Sequence, residues 1–574
     1  MTGPGSRIRR AVTATADAGR RHRTVFILLL VSAAWFVPAI WWGLPNVTPD
    51  VMVRGWGPDE TGPLGAVRFR DALLGERNQL SPQYPLGHYF VQALFVLPYR
   101  LAMAAADNLG LPAQRPSLPV LMLLHRIPSL LMAAGCVAAA YATARRVTDS
   151  AAAGWVAAAA LATAGPVVYY ARTSNVDVPA LFWVALALVV ALRSLQDGFT
   201  VRRALACGVF AGLGTATKDQ SYAIFAALGL ALLLAHLSAA RKREWPDRWW
   251  MPPAAGVAAA LVVYVATSGI VLLPRWFGAH VNFILHSGRD VPPEFAVLIG
   301  SFGSIPATLA GYLTIAKSVG AQLLAGLGAP IILLSLAGMT YAWRTNRRLF
   351  LLLTLPILAL LLGVIAPARL VRPRFLLPAE LILCIFAGLG VAAFDAARPA
   401  LRVSVRLVAI AGIAWSGLRA LDLTYQMLRD SRYAAGAWLV RAVLPGDTVG
   451  FYGARLKLPA LPAQAVIEWG PFQYQFKAAP PAGSWPQFII VAPQQVVEPV
   501  HEWILPDSSF AKLMDGSFGY QQVLAVQTRS LWTRPLQVVS FVNPPVRVFA
   551  REDVARRLAP TVRIELSPPP RSHR

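Results

Sequence analysis

Two adjacent carboxylates, Asp59 and Glu60, lie in a turn rich in glycine, tryptophan and proline that begins at Gly55. A carboxylate on such a turn can accept the proton of an attacking hydroxyl group, as a general base does. Asp59 is the candidate base because Pro58 restricts the backbone ahead of it. A second interpretation has equal support and is compatible with the first. In it, the two acids form the N-cap and first turn of the next helix.

A second set of charges lies where hydrophobic segments end or in the short turns between them. Its members are Arg172, Lys218, Arg369, Arg372 and Arg374, and the acids predicted to lie near them are Asp59, Glu60, Asp177 and Asp219. Any one of these cations can simply extend to the membrane interface. As a group on one side, they suit the phosphate or diphosphate of a lipid headgroup. Such cations would stabilise the charge on a departing phosphate, and one base would favour direct displacement with inversion.

The composition is that of a polytopic membrane protein. The chain has 574 residues, of which 56% are hydrophobic and 14% charged, and its mean hydropathy is +0.51. Soluble proteins carry about 25% charged residues. The net charge of +25 is interpreted as arginine in cytoplasmic loops and not as a nucleic-acid surface, because no nucleic-acid motif occurs. The cysteines Cys136, Cys207 and Cys384 lie in apolar runs and are expected to pack as small residues.

Hydropathy predicts an α-helical membrane domain over residues 24–423, preceded by a basic cytoplasmic segment, residues 1–23. The first span is interpreted as a retained signal anchor, because it is about as long as a bilayer-spanning helix needs. Eleven spans are predicted, at 24–42, 121–143, 152–170, 178–193, 203–217, 220–237, 253–273, 322–343, 349–367, 375–393 and 407–423.

Arginine-rich connections alternate with connections of other composition, which orients the spans. By the positive-inside rule the arginine-rich side is the cytoplasm. The other side then holds a catalytic loop at 43–120, a second loop at 274–321 and the C-terminal region. Within the first loop, 61–74 fits an amphipathic surface helix. The apolar stretch 84–106 is interpreted as lying flat or re-entering, since a true span there would invert all later spans.

The C-terminal region, residues 424–574, has a soluble composition. Ala434 to Val443 predicts a helix, Pro445 to Asp447 a turn, and Thr448 to Tyr452 a strand. A further strand is predicted from Gln487 to Val491. These elements predict a small α/β extracytoplasmic domain.

Five segments together resemble the GT-C class of membrane glycosyltransferases, which includes protein O-mannosyltransferases, aminoarabinose transferases and bacterial relatives of the dolichyl-phosphate-mannose type. They are similar to the family's acidic motif, its Tyr-Pro segment, its "TVDVP" turn, its "GLATATK" ending and its "RYLLP" element. In this chain they are Pro58 to Glu60, Tyr84 to Tyr89, Ala171 to Pro179, Gly212 to Lys218 and Arg372 to Pro378.

The resemblance implies roles for particular residues of this chain. Asp59 would be the catalytic base, and Glu60 would support it or bind the acceptor. The phosphate-binding residues would be Lys218 and Arg374, with Arg372 and Arg172 secondary. Tyr84, His88 and Asp177 would line the site.

The family also raises the question of a divalent metal, Mg or Mn, and here the sequence departs from the pattern. The segment from Gln83 to Gly87 has one proline and lacks an acidic residue, so it offers no family-type ligand. His88, His280 and His286 are candidate ligands, but their spacing is not that of a metal site. No cofactor is therefore assigned.

The expected function is an inverting transfer of a sugar from a polyprenyl-phosphate donor to an acceptor hydroxyl on the outer face of the membrane. Nucleotide sugars are made in the cytoplasm, whereas this site is predicted to face away from it. The expected partners are the lipid-linked donor, membrane lipids and an acceptor of unknown kind, and the expected location is a bacterial inner membrane. Two alternatives stay open: a transporter or flippase of lipid-linked sugars, and a glycan polymerase or ligase.

Overall fold

The computed structural model describes residues 23–45, 55–75, 80–110, 117–242, 244, 247–285, 302–395, 397–452, 455–462, 465–468, 486–492, 507–532, 539, 541–558 and 562–564. The predictions for residues 1–22 and for His286 lie outside these ranges. Contacts divide the chain into two compact units. The membrane unit comprises Met1–Ile40, Gly65–Gln114 and Leu124–Leu418. The C-terminal unit comprises Trp41–Leu64, Arg115–Leu123 and Arg419–Arg574.

Helices account for most of the chain up to residue 428. They are α1 (Arg23–Phe36), α2 (Gly65–Leu73), α3 (Gly87–Asn108), α4 (Leu118–Thr148), α5 (Ala151–Thr163), α6 (Gly165–Tyr170), α7 (Asp177–Asp197), α8 (Val201–Thr217), α9 (Ser221–Arg241), α10 (Met251–Thr267), α11 (Pro274–Ile284), α12 (Leu309–Leu327), α13 (Ala329–Thr345), α14 (Arg347–Leu360), α15 (Leu377–Ala392) and α16 (Pro399–Leu428). A π turn extends α14, and a 3-10 turn, Pro373–Leu376, precedes α15.

Seven helical stretches among the described residues are long and apolar enough to cross a membrane: Gly87–Asn108, Leu118–Thr148, Asp177–Asp197, Ser221–Arg241, Arg347–Ala368, Pro373–Ala392 and Pro399–Ala442. The bent pair of α12 and α13 would make eight, and α1, α5 and α10 are shorter apolar helices. The predicted fold class, a helical polytopic membrane protein with a small α/β domain, is confirmed. Helices occur at all eleven predicted segments, but fewer than eleven reach membrane length.

Two predicted segments have structural details that the sequence did not reveal. The span predicted at 322–343 is not one straight helix, because α12 and α13 meet at Gly328 with a bend of 108°. Gly328 has φ +82°, a conformation that glycine adopts readily. The stretch predicted to lie flat or re-enter is α3, which has the length and hydropathy of a span. Its placement against the membrane stays a prediction.

Close glycine contacts hold α8 against α10. A Cβ atom added at Gly208 would lie 2.1 Å from the carbonyl oxygen of Gly256, and one at Gly212 would lie 2.7 Å from that of Ala260. Residues four apart share one face of a helix, so this spacing lets the two backbones approach each other. Helix α8 continues beyond this contact and ends at Thr217.

The C-terminal unit folds around a mixed six-stranded sheet of order β2-β1-β3-β5-β4-β6. Its elements are α17 (Ser431–Ala442), β1 (Thr448–Tyr452), β2 (Val466–Glu468), β3 (Phe488–Val491), α18 (Asp507–Met514), β4 (Tyr520–Val526), β5 (Val546–Arg551), α19 (Glu552–Ala555) and β6 (Val562–Ile564). Strand β1 pairs in parallel with β2 and β3, β5 is antiparallel to β3 and β4, and β6 is parallel to β4. The predicted helix and both predicted strands are present.

Candidate active site

The acidic turn has its own local structure. Asp59 has φ +58°, in the left-handed region that aspartate tolerates better than most residues. The Glu60 carboxylate accepts a hydrogen bond from the backbone N–H of Gly57 at 3.1 Å. Helix α2 begins only at Gly65, and its first turn contains no acidic residue. The interpretation of Asp59 and Glu60 as the N-cap and first-turn acid of that helix is therefore wrong.

Trp56 anchors the turn within the C-terminal unit. Its side chain is 3% exposed, and the guanidinium carbon of Arg432 lies 3.8 Å from its ring centroid. The rings of Tyr433 and Trp42 lie 4.9 Å and 6.0 Å away. Tyr433 also accepts a hydrogen bond from the backbone N–H of Gly43 at 2.9 Å. Aromatic and cation–π contacts thus fix Trp56, three residues before Asp59.

A buried ion pair holds Arg432 in place. Its Nε and Nη2 donate to the two oxygens of Asp430 at 2.8 Å and 2.7 Å, and both side chains are fully buried. Asp430 also accepts hydrogen bonds from Trp42 Nε1 at 3.0 Å and from the backbone N–H of Asn543 at 2.7 Å. Because its hydrogen-bonding capacity is used, this buried pair avoids the cost of an unpaired charge. The contact of the Arg432–Asp430 pair with Trp56 was not predicted from the sequence, although Asp430 followed by Ser431 is a typical helix start.

In the membrane unit, three turns that carry family-like motifs meet. Lys218, at the end of α8, donates from Nζ to Asp177 Oδ1 at 2.6 Å, and both side chains are buried. Asp177 begins α7, where the helix dipole favours a negative charge. Lys218 Nζ lies 4.9 Å from the ring centroid of Phe375, and the guanidinium of Arg374 lies 5.4 Å from the same ring. We call these four residues the donor cluster, after the N–H donors of Lys218 and Arg374.

Tyr84 adds the first loop to this region. Burial raises the pKa of its half-buried phenol, as do nearby Asp177, Tyr170 and Asp219, while Arg372 opposes the shift. The loop packs tightly against α8, because a Cβ atom at Gly87 would lie 2.6 Å from the carbonyl oxygen of Ala216. Tyr84 therefore stands within electrostatic range of the donor cluster.

His280 joins the second loop to the same region. Its Nε2 lies 3.3 Å from Asp219 Oδ1, and its Nδ1 lies 2.7 Å from the carbonyl oxygen of Pro82. Its ring is parallel to that of Trp276, with centroids 5.5 Å apart. The sequence analysis considered His280 as a metal ligand; the structure instead gives it these two oxygen partners.

Arg172 has contacts that the sequence did not predict. It is 1% exposed, and its guanidinium donates to the carbonyl oxygens of Phe36 at 3.1 Å and Trp35 at 3.3 Å. These are the last carbonyls of α1, which lack partners within the helix. The guanidinium thus caps α1, and a phosphate-binding role for Arg172 stays a prediction.

His88 lies at the start of α3 and is 1% exposed. Neither of its ring nitrogens has a hydrogen-bond partner within the described ranges. Those ranges also contain no group of three His, Cys, Asp or Glu side chains placed to hold a metal ion. The residues described therefore do not fit a metal site built from three protein ligands.

An apolar cavity of about 510 Å³ lies among α7, α8, α9 and α10. Thr215, Tyr222 and Tyr264 line one end of it, beside the turn at Lys218. Along α8 the lining extends back to Ala204, a distance of about 16 Å at the helical rise. The cavity thus has one end near the turn at Lys218 in the sequence and extends along α8 into the apolar part of the membrane unit.

Comparisons with known proteins agree with this description. Residues 121–268, from α4 to α10, match the family described as dolichyl-phosphate-mannose-protein mannosyltransferase. No curated protein matches the chain at the significance applied.

Several solved structures resemble the fold. ArnT from Cupriavidus metallidurans bound to undecaprenyl phosphate is 14% identical, with a TM-score of 0.48, and the match covers 93% of this chain and 98% of that one. The Archaeoglobus fulgidus oligosaccharyltransferase, in complex with Zn and sulfate, is 14% identical, with a TM-score of 0.44 and coverage of 78% and 62%. The arabinofuranosyltransferase AftD from Mycobacteria is 15% identical, with a TM-score of 0.36 and coverage of 92% and 40%. The expected resemblance is confirmed: over residues 121–268 this chain is similar to the dolichyl-phosphate-mannose-type glycosyltransferases of the GT-C class.

Proposed function

We propose that this chain is an inverting glycosyltransferase that moves a sugar from a polyprenyl-phosphate donor to an acceptor hydroxyl group. The observation that carries the proposal is the convergence of three separate turns at Asp177, Lys218 and Phe375, with Arg374 beside the same ring. Cations that merely extend to the interface would not be buried together in this way.

Lys218 and Arg374 bind the donor phosphate in this proposal, with help from Arg372. An ammonium group has three N–H donors, so the bond to Asp177 leaves Lys218 with others to offer a phosphate. The Nε atom of Arg372 is buried and has no hydrogen-bond partner within the described residues. A phosphate oxygen would satisfy it. These cations stabilise the charge that the phosphate gains as it departs.

Asp59 accepts the proton of the acceptor hydroxyl group while the hydroxyl oxygen attacks the anomeric carbon. The bond from that carbon to the phosphate oxygen breaks, and its electron pair leaves with the phosphate. One base and one direct displacement invert the anomeric centre. Glu60 supports Asp59 by accepting the hydrogen bond from Gly57 within the turn.

We infer a lipid-linked donor for three reasons. The apolar cavity beside the donor cluster can take the first part of an isoprenoid chain, and the matched family is described by a donor of this class, dolichyl-phosphate-mannose. The positive-inside rule also assigns the site to the outer face, away from the cytoplasmic nucleotide sugars. The protein is accordingly a multi-pass enzyme of the cell membrane.

The test is a transfer assay with purified protein in lipid nanodiscs. A panel of synthetic polyprenyl-phosphate sugars, each with a radiolabelled sugar, is incubated with a membrane extract that supplies acceptors. We expect at least one donor to lose its label to the extract with release of polyprenyl phosphate, and the product to have the opposite anomeric configuration.

The matched variants are Asp59→Asn and Asp553→Asn, the latter an exposed carboxylate paired with Arg551. Asp59→Asn should lower the rate of release by about 10²–10⁴-fold, whereas Asp553→Asn should not change it. Full activity in Asp59→Asn, or movement of intact donor between leaflets without release, would contradict the proposal.

A further inference from the structure

His280 links three segments of the membrane unit through a buried ring. It lies on α11, outside the helices of membrane length, and its side chain is 1% exposed. Its two nitrogens contact Asp219, next to Lys218, and the carbonyl oxygen of Pro82, two residues before Tyr84. The ring is therefore built into the framework around the donor cluster.

The partners of His280 are a carboxylate oxygen of Asp219 and the carbonyl oxygen of Pro82, both of which accept hydrogen bonds. A neutral imidazole has one N–H group and can donate to only one of them, whereas an imidazolium donates to both. Burial lowers the pKa of His280. The hydrogen bond and charge of Asp219, with the hydrogen bond to Pro82, outweigh burial, and the pKa is raised above its usual value. The geometry and the electrostatics both favour the charged ring.

The rings of Trp276 and Phe277 lie 5.5 Å and 5.7 Å from that of His280. Within the described ranges, Asp219 is the charged side chain that faces it. The charge of Asp219 also acts on Tyr84 in the first loop and on Tyr264 in α10. The other charged residue of α11 in these ranges, Arg275, is exposed. The buried face of α11 packs in a cluster with Phe69, Leu80, Leu86 and Tyr89.

We infer that protonated His280 is a positioning residue for the donor phosphate: it neutralises Asp219 beside Lys218 and ties the Tyr84 loop to that turn. The inference rests on the proposed function, because its ligand is the phosphate of the lipid-linked donor. Loss of the proton leaves a full negative charge on Asp219 and releases one of the two hydrogen bonds. Both changes oppose the binding of a phosphate.

The sign of the pH dependence follows from the raised pKa. The contribution of His280 is complete at low pH and is lost as the pH rises through the raised pKa. Donor affinity should therefore fall on the alkaline side by about tenfold, which corresponds to about 1.4 kcal/mol. The donor is a phosphodiester, which keeps one charge throughout this range, so its own titration cannot produce the effect.

The experiment measures the dissociation constant of the donor as a function of pH, without acceptor, for wild type, His280→Gln, Asp219→Asn and the double variant. We expect wild-type affinity to fall with rising pH, and His280→Gln to bind weakly at every pH. In Asp219→Asn, which has no charge to neutralise, the pH dependence should be lost, and adding His280→Gln should have little further effect. A double variant as weak as His280→Gln would mean a merely structural role and would overturn the inference.

A second measurement needs no donor and keeps the two proposals separate. The melting temperature of wild type minus that of His280→Gln should be largest at low pH and shrink as the pH rises. His236→Gln is the matched control, since His236 also bonds a backbone carbonyl, that of Trp249, at 2.7 Å. If this difference does not change with pH, the inference is wrong. If the difference changes with pH but no polyprenyl-phosphate sugar binds, the proposed function is wrong. The two hydrogen bonds of protonated His280, to Asp219 and Pro82, would still be supported.

Discussion

The acidic turn and the donor cluster both place charged side chains on turns. They differ in whether those side chains are supported by other residues or pair with one another. In the C-terminal unit, the supporting ion pair of Arg432 and Asp430 is separate from the residues assigned to chemistry, and Trp56 connects them. In the membrane unit, the residues assigned to binding pair with each other, as Lys218 does with Asp177.

The difference is consistent with the two tasks that we propose, proton transfer by the turn and phosphate binding by the cluster. A base must be fixed at one position before the reaction, because misplacement directly reduces the rate. A phosphate site must exchange one set of partners for another when the ligand enters and leaves. The ion pair of Lys218 and Asp177 avoids the cost of an unpaired buried charge, and it could rearrange around a phosphate. We expect mutations in the turn to change kcat and mutations in the cluster to change KM.

The largest effect should follow Asp59→Asn. The amide cannot accept the proton, yet asparagine tolerates the left-handed backbone of Asp59, so the fold should be kept. Loss of a general base lowers rates by about 10²–10⁴-fold. Steady-state kinetics should show this in kcat with the donor KM unchanged. A rise in donor KM of similar size would mean that Asp59 acts in donor binding. The expected difference between the turn and the cluster would then not exist.

Lys218→Met should raise the donor KM by about 10–100-fold, as expected for a lost hydrogen bond to a charged group. It also leaves the Asp177 charge buried without its partner, which costs about 3–5 kcal/mol of stability. The control is Lys218→Met with Asp177→Asn, which should recover most of the stability but none of the donor affinity. Denaturation and kinetics on the same preparations separate the two effects. Recovery of affinity in the double variant would refute phosphate binding by Lys218.

Arg432→Lys should lower kcat by about tenfold, since lysine cannot form the two parallel hydrogen bonds to Asp430 and stacks less well on Trp56. Donor KM should not change. The matched control, Arg551→Lys, alters an exposed pair with Asp553 and should have no measurable effect. An unchanged kcat in a folded Arg432→Lys protein would show that the C-terminal unit does not support the turn.

The smallest effect should come from Glu60→Gln. The amide oxygen can still accept the hydrogen bond from Gly57, but without charge, so a loss of about 1 kcal/mol, or roughly fivefold in kcat, is expected. Asp395→Asn, at an exposed pair with Arg406, controls for loss of a carboxylate elsewhere. A loss as large as that of Asp59→Asn would mean that Glu60 itself takes part in the chemistry.

The sequence predicted what depends on local pattern. Hydropathy located the helices, and alternation together with turn residues located β1 and α17. The family-like motifs anticipated that Asp177, Lys218 and Arg374 would share one region, because their order along the chain matched. The bend at Gly328 was not predicted because the segments on both sides of it are apolar. Hydropathy averaged along the sequence does not change where a helix changes direction.

Residue type alone could not separate supporting from binding cations. Arg172 and Arg374 both follow the same pattern, a cation beside the end of a span, yet Arg172 caps the carbonyls of α1. The role of Arg432 was not predicted because Arg432 and Trp56, which are in contact, lie far apart in the sequence. Such contacts depend on how the chain folds back on itself, which hydrophobic periodicity does not encode.

The length of the apolar cavity has a practical consequence for substrate choice. For the polyprenyl-phosphate donor that we propose, a lining that extends about 16 Å along α8 would contact only the first few isoprene units, and the rest would lie in the bilayer. The protein would then not contact the distal isoprene units. Donors whose carriers differ only in those units should therefore be equally good substrates. Truncated, more water-soluble donors should therefore replace the natural lipid in enzymatic work.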